Sequence, residues 1–380
     1  MKDKINVIEF ITNLDEGGAE SLVRDYALLL DENEINVITV VLWPPRKDSP
    51  YVKTLLEKGR KVLTIYPKKK MCKTYIGQKI WNRFIHDSYV KHKLLKIIKE
   101  NNVTVIHSHL EVLYYVKLIS RDIKGKVKLF FTCHSMPSFI FKKTRWRNEK
   151  TAAQYLVDNN NLKLIALHDN MRKELNEMFS TDKTLILPNG IDFSKYEGIT
   201  ETKTEIRETI NVPYDAFVVG HIGRFTEAKN HDKLIDIFKD VVKRKSTAHL
   251  LMIGTGELQD KVETKLHDYG LDGKYTILHS RNDIPRLLKS MDVFVFPSKF
   301  EGLPVTLVEA QVSKLRCLIS TNVTEECFFS EEAVPLDIKE PSSKWVDTMF
   351  DKTKKGKIHN DITSFDMKQV IKRLAKLYKS

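Results

Sequence analysis

Glu301 and Glu309 bracket the segment EGLPVTLVE, which follows directly on the apolar run MDVFVFPS that begins at Met291. These residues predict a short buried strand over Val293–Phe296, a proline, a Gly-Leu-Pro turn and a helix start. That order places a carboxylate and free backbone N–H groups at the carboxyl edge of a parallel strand, where open α/β sheets bind nucleotides. Glu309 lies about two helical turns beyond Glu301, so one carboxylate can face a sugar hydroxyl and the other a ribose. Arg224 and Lys229, in GRFTEAKN, stand at another strand end that leads into a helix. An arginine grips oxygens with a planar fork and a lysine acts as a point charge. The pair suits a diphosphate, whose negative charge grows as its bond to a sugar breaks and needs cations and N–H dipoles held ready.

Three histidines form a further set. His107 and His109 in HSHL, and His134 in TCHSM, lie at or just after two apolar strand runs. A metal cluster of these three would lack the acidic or cysteine partners that a closed site shows. The Gly17-Gly18 turn follows the first strand, where glycines permit close backbone approach to a ligand and positive φ. Gly254-Thr-Gly256 is a similar turn, read as structural. No GxGxxG fingerprint occurs, and no two aspartates stand two positions apart. Without an Asp-x-Asp to hold a divalent ion, the expected chemistry uses no metal and no cofactor.

The elements that must carry these groups alternate. Strands are expected at Ile5–Thr12, Asn36–Leu42, Lys61–Ile65, Val103–Ser108, Lys126–Thr132, Leu162–Leu167 and Thr184–Pro188. Helices are expected at Ala19–Leu30, Gly77–Glu100 and Met171–Phe179. The pattern restarts with strands at Phe217–Ile222, His249–Ile253, Tyr275–Leu278, Val293–Phe296 and Arg316–Ser320. Helices fall between them at His231–Lys243, Leu258–Tyr269 and Ile284–Lys289. Strands separated by helices imply parallel βαβ units. A chain of 380 residues is long enough for two such domains. The expected division is a domain over 1–195, a polar linker over 196–213, a second domain over 214–362, and a C-terminal helix over 363–380 that packs back on the first domain.

In their order, EGGAESLV, HSHL, TCHSM, LPNGIDFSKY, VGHIGRFTEAKNH, LLMIGTGELQDKVE and VFVFPSKFEGLPVTLVEAQ resemble the retaining glycosyltransferases of glycosyltransferase family 4 (glycosyltransferase group 1), and within it bacterial exopolysaccharide and capsule enzymes. The resemblance runs from about residue 5 to 330. It implies an α/β GT-B fold, with two Rossmann-like doubly wound domains facing a central cleft, acceptor on the first and nucleotide sugar on the second. It also implies metal-independent transfer with retention, a UDP-sugar donor, and a hexosyl or N-acetylhexosaminyl group moved to a lipid-linked or glycan acceptor. By the same resemblance Glu301 and His134 contact the transferred sugar. Arg224, Lys229, Gly17, Gly18, Leu303, Pro304 and Val305 surround the diphosphate, and Glu309 binds the ribose. Arg281–Ile284 reads the base, and His109 is an acceptor-side residue. The chain departs from the family at Ser313-Lys-Leu-Arg316, where many members have a small residue and Gly-Leu-Pro. Two alternatives are compatible with the same motifs: a catalytically silent subunit that binds nucleotide sugar or partners another transferase, and another GT-B enzyme such as a sugar-nucleotide epimerase or a phosphorylase.

Charge divides unevenly. Residues 1–190 hold 33 Lys and Arg against 21 Asp and Glu, whereas residues 191–380 hold 30 against 29. A basic half suggests an anionic partner. Gly77–Glu100 carries Lys79, Arg83, Lys91, Lys93, Lys96 and Lys99 with Trp81, Phe84 and Tyr89, and SFIFKKTRWRNEK spans Ser138–Lys150. Basic residues mixed with aromatics suit a membrane interface. The expectation is a cytoplasmic protein, peripheral on the inner face of the membrane, with partner glycosyltransferases and without nucleic acid. Four separated cysteines (Cys72, Cys133, Cys317, Cys327) suit reduced thiols.

Overall fold

Apolar β-branched runs set the frame of the structure, a computed structural model that describes residues 4–15, 17–67, 85–142, 148–279 and 281–380. INVIEFI and INVITVV pair in parallel as β1 (Ile5–Ile11) and β2 (Ile35–Val41), in register from Ile5 opposite Ile35 to Ile11 opposite Val41. With β3 (Lys61–Thr64), β4 (Val105–His109), β5 (Lys128–Thr132), β6 (Lys163–Ala166) and β7 (Leu185–Ile186) they form a parallel sheet of order β3-β2-β1-β4-β5-β6-β7. A second parallel sheet, of order β10-β9-β8-β11-β12-β13, is built from β8 (Phe217–Ile222), β9 (Ala248–Ile253), β10 (Tyr275–Leu278), β11 (Val293–Phe296), β12 (Arg316–Ser320) and β13 (Ala333–Leu336). Both are Rossmann-like. In each, the chain steps outward over three strands and returns on the other side of its first, so the order reverses between β1 and β4 and between β8 and β11.

The chain divides into a unit of residues 1–189 with 368–380, and a unit of residues 190–367. The helix Met367–Lys379 therefore lies almost wholly in the first unit. The stretch 196–213, expected as a linker, belongs to the second. It carries the helix Lys203–Thr209, opened by a reciprocal capping box between Thr202 and Glu205. Arg207, 5% exposed, donates to the carbonyls of Ser290, Tyr214 and Ala216 and pairs with Asp292 at 2.7 Å. Four hydrogen-bonded contacts of that kind make the polar stretch part of a packed domain.

The structure adds elements beyond those expected: helices Pro50–Glu57, Leu113–Ile123, Glu149–Asn160 and Ser342–Phe350, and strand β13. β13 reads AVPL, and a proline demotes a strand reading unless the strand is an edge, which β13 is. Of the expected basic helix Gly77–Glu100, the part His86–Glu100 is a helix, and Lys79, Trp81, Arg83 and Phe84 lie outside the described residues, as do Cys72 and 143–147 of the second basic segment. Among the described residues no helix is long and apolar enough to cross a membrane. In the second unit, Leu234, Ile235, Ile237, Phe238 and Val241 of helix His231–Arg244 join a core with Val219, Leu250 and Val295 of the sheet. Each such side chain contributes about 1.5–3 kcal/mol by leaving water.

Candidate active site

The loops that leave β8 and β11, the two central strands at the reversal, are stitched to each other. Lys299 N–H donates to the Ala228 carbonyl at 2.8 Å, and the Asn230 side-chain amide donates to the Pro297 carbonyl at 3.0 Å. Asn230 takes a left-handed φ of 55°, which an asparagine tolerates. This stitching brings Lys229 to Glu301, Nζ to Oε1 at 2.7 Å, with side chains only 17% and 13% exposed. The ammonium also lies 4.8 Å from the centre of the Phe296 ring, a cation–π contact. Its stem runs over Gly223, where a Cβ would come within 2.9 Å of Lys229 Cδ.

Arg224 is the uncommitted cation of this edge. It is exposed, and its guanidinium has no hydrogen bond or ion pair with any described residue. Its backbone, in contrast, is clamped. Gly223 N–H donates to the Ile253 carbonyl, Phe225 N–H to Thr255, and Leu258 N–H to Phe225, all at 3.0 Å. Gly254 and Gly256 make this possible: a Cβ would stand 2.1 Å from the Gly223 oxygen and 2.4 Å from the Phe225 oxygen, respectively. The Gly-Thr-Gly turn thus holds the Arg224 loop by direct backbone packing.

The helix Val305–Val312 starts at Pro304, with no side-chain cap. The Pro304 carbonyl accepts from Leu307 and Val308. The N–H groups of Leu303, Val305 and Thr306 have no partner among the described residues, so they are available to an anion. Pro304 carries no N–H and shapes the turn without donating. Glu309 lies further along this helix. Its Oε1 accepts from the Tyr196 hydroxyl at 2.8 Å. Burial pushes the Glu309 carboxyl up to about 7, against the opposing hydrogen bond from Tyr196. Tyr196 closes the segment LPNGIDFSKY, but nothing local joins it to Glu309: it sits in the short turn Phe193–Tyr196, far along the chain. Arg281 forms a two-pronged pair with Asp283, at 2.8 and 2.7 Å, next to the start of helix Ile284–Lys289. That pairing ties Arg281 to its own loop, so only the rest of its guanidinium can meet a base.

In the first unit, the histidines gather around an acid outside the expected site residues, Glu9. Glu9 lies mid-strand in β1, fully buried, as are His107 and His109 on β4. Glu9 Oε2 meets His109 Nε2 at 2.7 Å, and Oε1 accepts from the Tyr378 hydroxyl at 2.5 Å. His107 Nδ1 meets the Tyr378 oxygen at 2.6 Å, and its Nε2 meets Thr132 Oγ1 at 2.7 Å. His109 Nδ1 meets His134 Nε2 at 2.8 Å. Burial raises the Glu9 carboxyl, but the charge interaction with His107 and hydrogen bonds from both histidines outweigh it, and the group is held well below the usual range. Burial, and the like charge of His107, push His109 down to about 4. Burial first, then His109 and His107, hold half-buried His134 well below its ordinary value. Glu9, His107 and His109 thus place three ligand-type atoms within 4.8 Å, and the acidic partner judged missing is present. Each of those atoms already has a hydrogen-bond partner, and the 2.7 Å Glu9–His109 contact needs a proton between its atoms.

Gly17 and Gly18 do not use the positive φ expected of them. Gly17 has φ 179°, plain extended backbone, and Gly18 opens the helix Gly18–Leu29. A Cβ on Gly18 would meet nothing within 4 Å, whereas on Gly17 it would stand 2.2 Å from the Glu20 carboxylate, which lies over that glycine. The predicted residues therefore fall into two groups, each on its own sheet. Arg224, Lys229, Glu301, Leu303, Val305 and Glu309 gather at the edge of the second; His109 and His134 gather with Glu9 on the first. On the helix His86–Glu100, Lys91 pairs with Asp122 and Lys96 with Glu100, while Val90, Leu94 and Ile97 face inward.

Residues 16–195 match the family described as Glycosyltransferase Family 4, and residues 202–327 match Glycosyl transferases group 1. The chain is 27% identical over 357 residues to the putative glycosyltransferase EpsF of Bacillus subtilis (strain 168), covering 90% of this chain and 86% of that protein. It is 27% identical over 248 residues to the UDP-Gal:alpha-D-GlcNAc-diphosphoundecaprenol alpha-1,3-galactosyltransferase of Escherichia coli, covering 63% of each. Among solved structures, Anabaena Alr3699/HepE in complex with UDP and glucose superposes with a TM-score of 0.77 at 17% identity, over 99% of this chain and 100% of that one. That likeness is one of fold, and the fold is GT-B.

Proposed function

We propose that this chain, which carries the two domains of a group 1, family-4-like glycosyltransferase, moves a hexosyl or N-acetylhexosaminyl group from a UDP-sugar to a lipid-linked, growing cell-surface polysaccharide. The observation that carries the reading is the edge of the second sheet, where Lys229 and Glu301 pair beside an uncommitted Arg224 and a helix start with free N–H groups. Breaking a sugar–diphosphate bond leaves charge on the β-phosphate, and preorganised cations and N–H dipoles lower that barrier most effectively in a partly dry site. Lys229 and Arg224 meet the diphosphate, Leu303 and Val305 donate N–H groups to it, and Glu301 orients the sugar. Glu309 takes the ribose hydroxyls, and Arg281–Ile284 borders the base. Two cations take the place of a metal ion, transfer proceeds with retention, and the leaving phosphate accepts the acceptor's proton. His134 contacts a sugar hydroxyl and His109 lies behind it. The basic first half meets an anionic membrane surface from the cytoplasmic side. UDP and glucose bound to HepE, and the diphosphoundecaprenol acceptor in the name of the E. coli relative, agree with this donor and acceptor class.

Thermal unfolding with UDP, GDP, ADP and their sugars, all in EDTA, tests the donor. A ligand at ~100 times its dissociation constant stabilises by about 2.7 kcal/mol. UDP compounds should raise the midpoint. A response to GDP or ADP alone would replace the base, and no response to any would remove the donor site. The UDP-sugar that responds is then turned over with a diphosphate-lipid acceptor in anionic and in neutral vesicles. Inversion of the anomeric centre, or equal rates in both vesicles, would remove retention or the membrane contact from the reading.

A further inference from the structure

The three histidines and Glu9 form a chain of hydrogen bonds whose proton positions are fixed from the buried end. A carboxylate only accepts. The Glu9 group is held in its ionised form and receives the Tyr378 hydroxyl on Oε1 at 2.5 Å. Its Oε2, 2.7 Å from His109 Nε2, therefore requires a proton on that nitrogen. A neutral His109 protonated on Nε2 presents a lone pair at Nδ1. That lone pair, 2.8 Å from His134 Nε2, requires the His134 proton on Nε2 in turn. His134 Nδ1 is what remains: a lone pair with no partner among the described residues, on a half-buried ring.

We propose that Glu9 is a positioning residue which, through His109, fixes His134 as the Nε2–H tautomer, so that Nδ1 is offered as an acceptor to a substrate hydroxyl. The C-terminal helix is part of the device. Tyr378 engages Glu9 Oε1 and His107 Nδ1, His107 is held on its far side by Thr132, and the carboxylate is thereby kept oriented toward His109. The residue supplied from the end of the chain thus sets the face of a ring that lies on the other side of β4. The inference rests on the reading of His134 as a substrate contact, but its central claim, the tautomer, can be read without substrate.

Glu9→Gln is the decisive change. An amide can donate to His109 Nε2 where the carboxylate cannot, which reverses both bonds and moves the His134 proton to Nδ1. Tyr378→Phe is the second variant, for which a hydroxyl is lost without loss of ring volume. Imidazole nitrogen shifts of 15N-labelled full-length protein report the tautomers. The expected result is Nε2–H for His134 in the native chain, and Nδ1–H or a mixture in Glu9→Gln, with a smaller change in Tyr378→Phe. In turnover with the UDP-sugar, Glu9→Gln should lower kcat by about 100-fold, as for a group set slightly out of place, with KM for the acceptor changed little. An unchanged His134 tautomer in a folded Glu9→Gln protein overturns the proposal, as does Nδ1–H in the native chain. A tautomer that moves while the native protein shows no transfer upholds the relay and removes the proposed function instead.

Discussion

Glu9 and Glu301 are both screened carboxylates near the place where their sheet's strand order reverses, and they are compensated in opposite ways. Glu9 is fully buried and held by a phenol and imidazoles, all of them taken up in a closed network. Glu301 is held by one ammonium, Lys229, at an edge that also presents an exposed arginine and free N–H groups. The same topology therefore supports two kinds of recognition. A network that has used its hydrogen bonds can offer one directed lone pair, which suits a hydroxyl. An ion pair cancels its own charge but can share its cation with an incoming anion, and Arg224 adds the positive charge that the pair does not supply.

The comparison breaks most sharply at Arg224. Since its exposed guanidinium has no hydrogen bond or ion pair with any described residue, Arg224→Ala should leave the unfolding midpoint nearly unchanged while lowering kcat/KM by about 100- to 1,000-fold, the range for losing one donor to a developing anion. Activity close to native in that variant would mean that the Lys229–Glu301 pair alone carries the diphosphate, and the contrast between an open and a closed edge would lose its main support. Steady-state kinetics with a calorimetric scan of the same preparation decides it.

Much of this contrast was legible in the residues. β8, β11 and β12 fall where apolar runs predicted them, because parallel strands buried on both faces read as continuous apolar segments; the half-buried edge strand β10 falls at its expected place too. Arg224, Lys229 and Glu301 announced themselves by position at strand ends. Glu9 did not, although it is the one charged residue inside INVIEFI, and an acid in a buried strand requires partners. Its partner Tyr378 comes from the opposite end of the chain, and no local pattern joins them. Ser313-Lys-Leu-Arg316, where family members have a small residue and Gly-Leu-Pro, also has a local physical account. Lys314 takes the left-handed φ of 59°. Arg316, 3% exposed, donates to the carbonyls of Thr348, Asp351 and Lys354 and pairs with Glu332. Arg316 thereby fastens the end of helix Ser342–Phe350 and the turn that follows it, while Ser313 N–H caps the helix of Glu309 by donating to the Glu309 carbonyl at 3.0 Å.

Glu309 sharpens the comparison through pH. Its folded carboxyl is raised to about 7, above the usual carboxylate value, so the folded chain binds a proton there that the unfolded chain does not. The stability this contributes is complete below about pH 4.3 and is lost as pH rises through about 7. Glu149 acts in the same direction, raised to about 7 by burial against the N–H groups of Tyr114 and Leu113, so Glu309→Gln should flatten part of the pH dependence of the unfolding midpoint and not all of it. To accept two ribose hydroxyls Glu309 must ionise. UDP binding near pH 6 should therefore release a proton, and affinity should fall by up to tenfold per unit below pH 7. Calorimetry in buffers of different ionisation enthalpy measures the proton count. A count of zero in the native chain, or the same count in Glu309→Gln, would take the ribose away from this carboxylate.

The smallest effect separates position from charge at Lys229. Gly223 has no left-handed φ, so alanine fits its backbone, but the new Cβ would stand 2.9 Å from Lys229 Cδ and 3.0 Å from Cε. Carbon atoms settle at about 3.5–4.0 Å, and the flexible lysine stem is what yields. Gly256→Ala makes the control: there the Cβ meets the Phe225 backbone oxygen at 2.4 Å, nothing can yield cheaply, and about 1–3 kcal/mol of stability should be lost. Gly223→Ala should instead cost less than about 0.5 kcal/mol, while moving Nζ off Glu301 and the Phe296 ring and lowering kcat/KM by about tenfold, the loss expected when a preorganised donor is displaced slightly. Native turnover in a stable Gly223→Ala protein would show that Lys229 works as a diffuse charge. In that event the 2.7 Å contact with Glu301 would be a resting arrangement of the ligand-free edge, and Arg224 would be the only cation there whose placement the chemistry depends on.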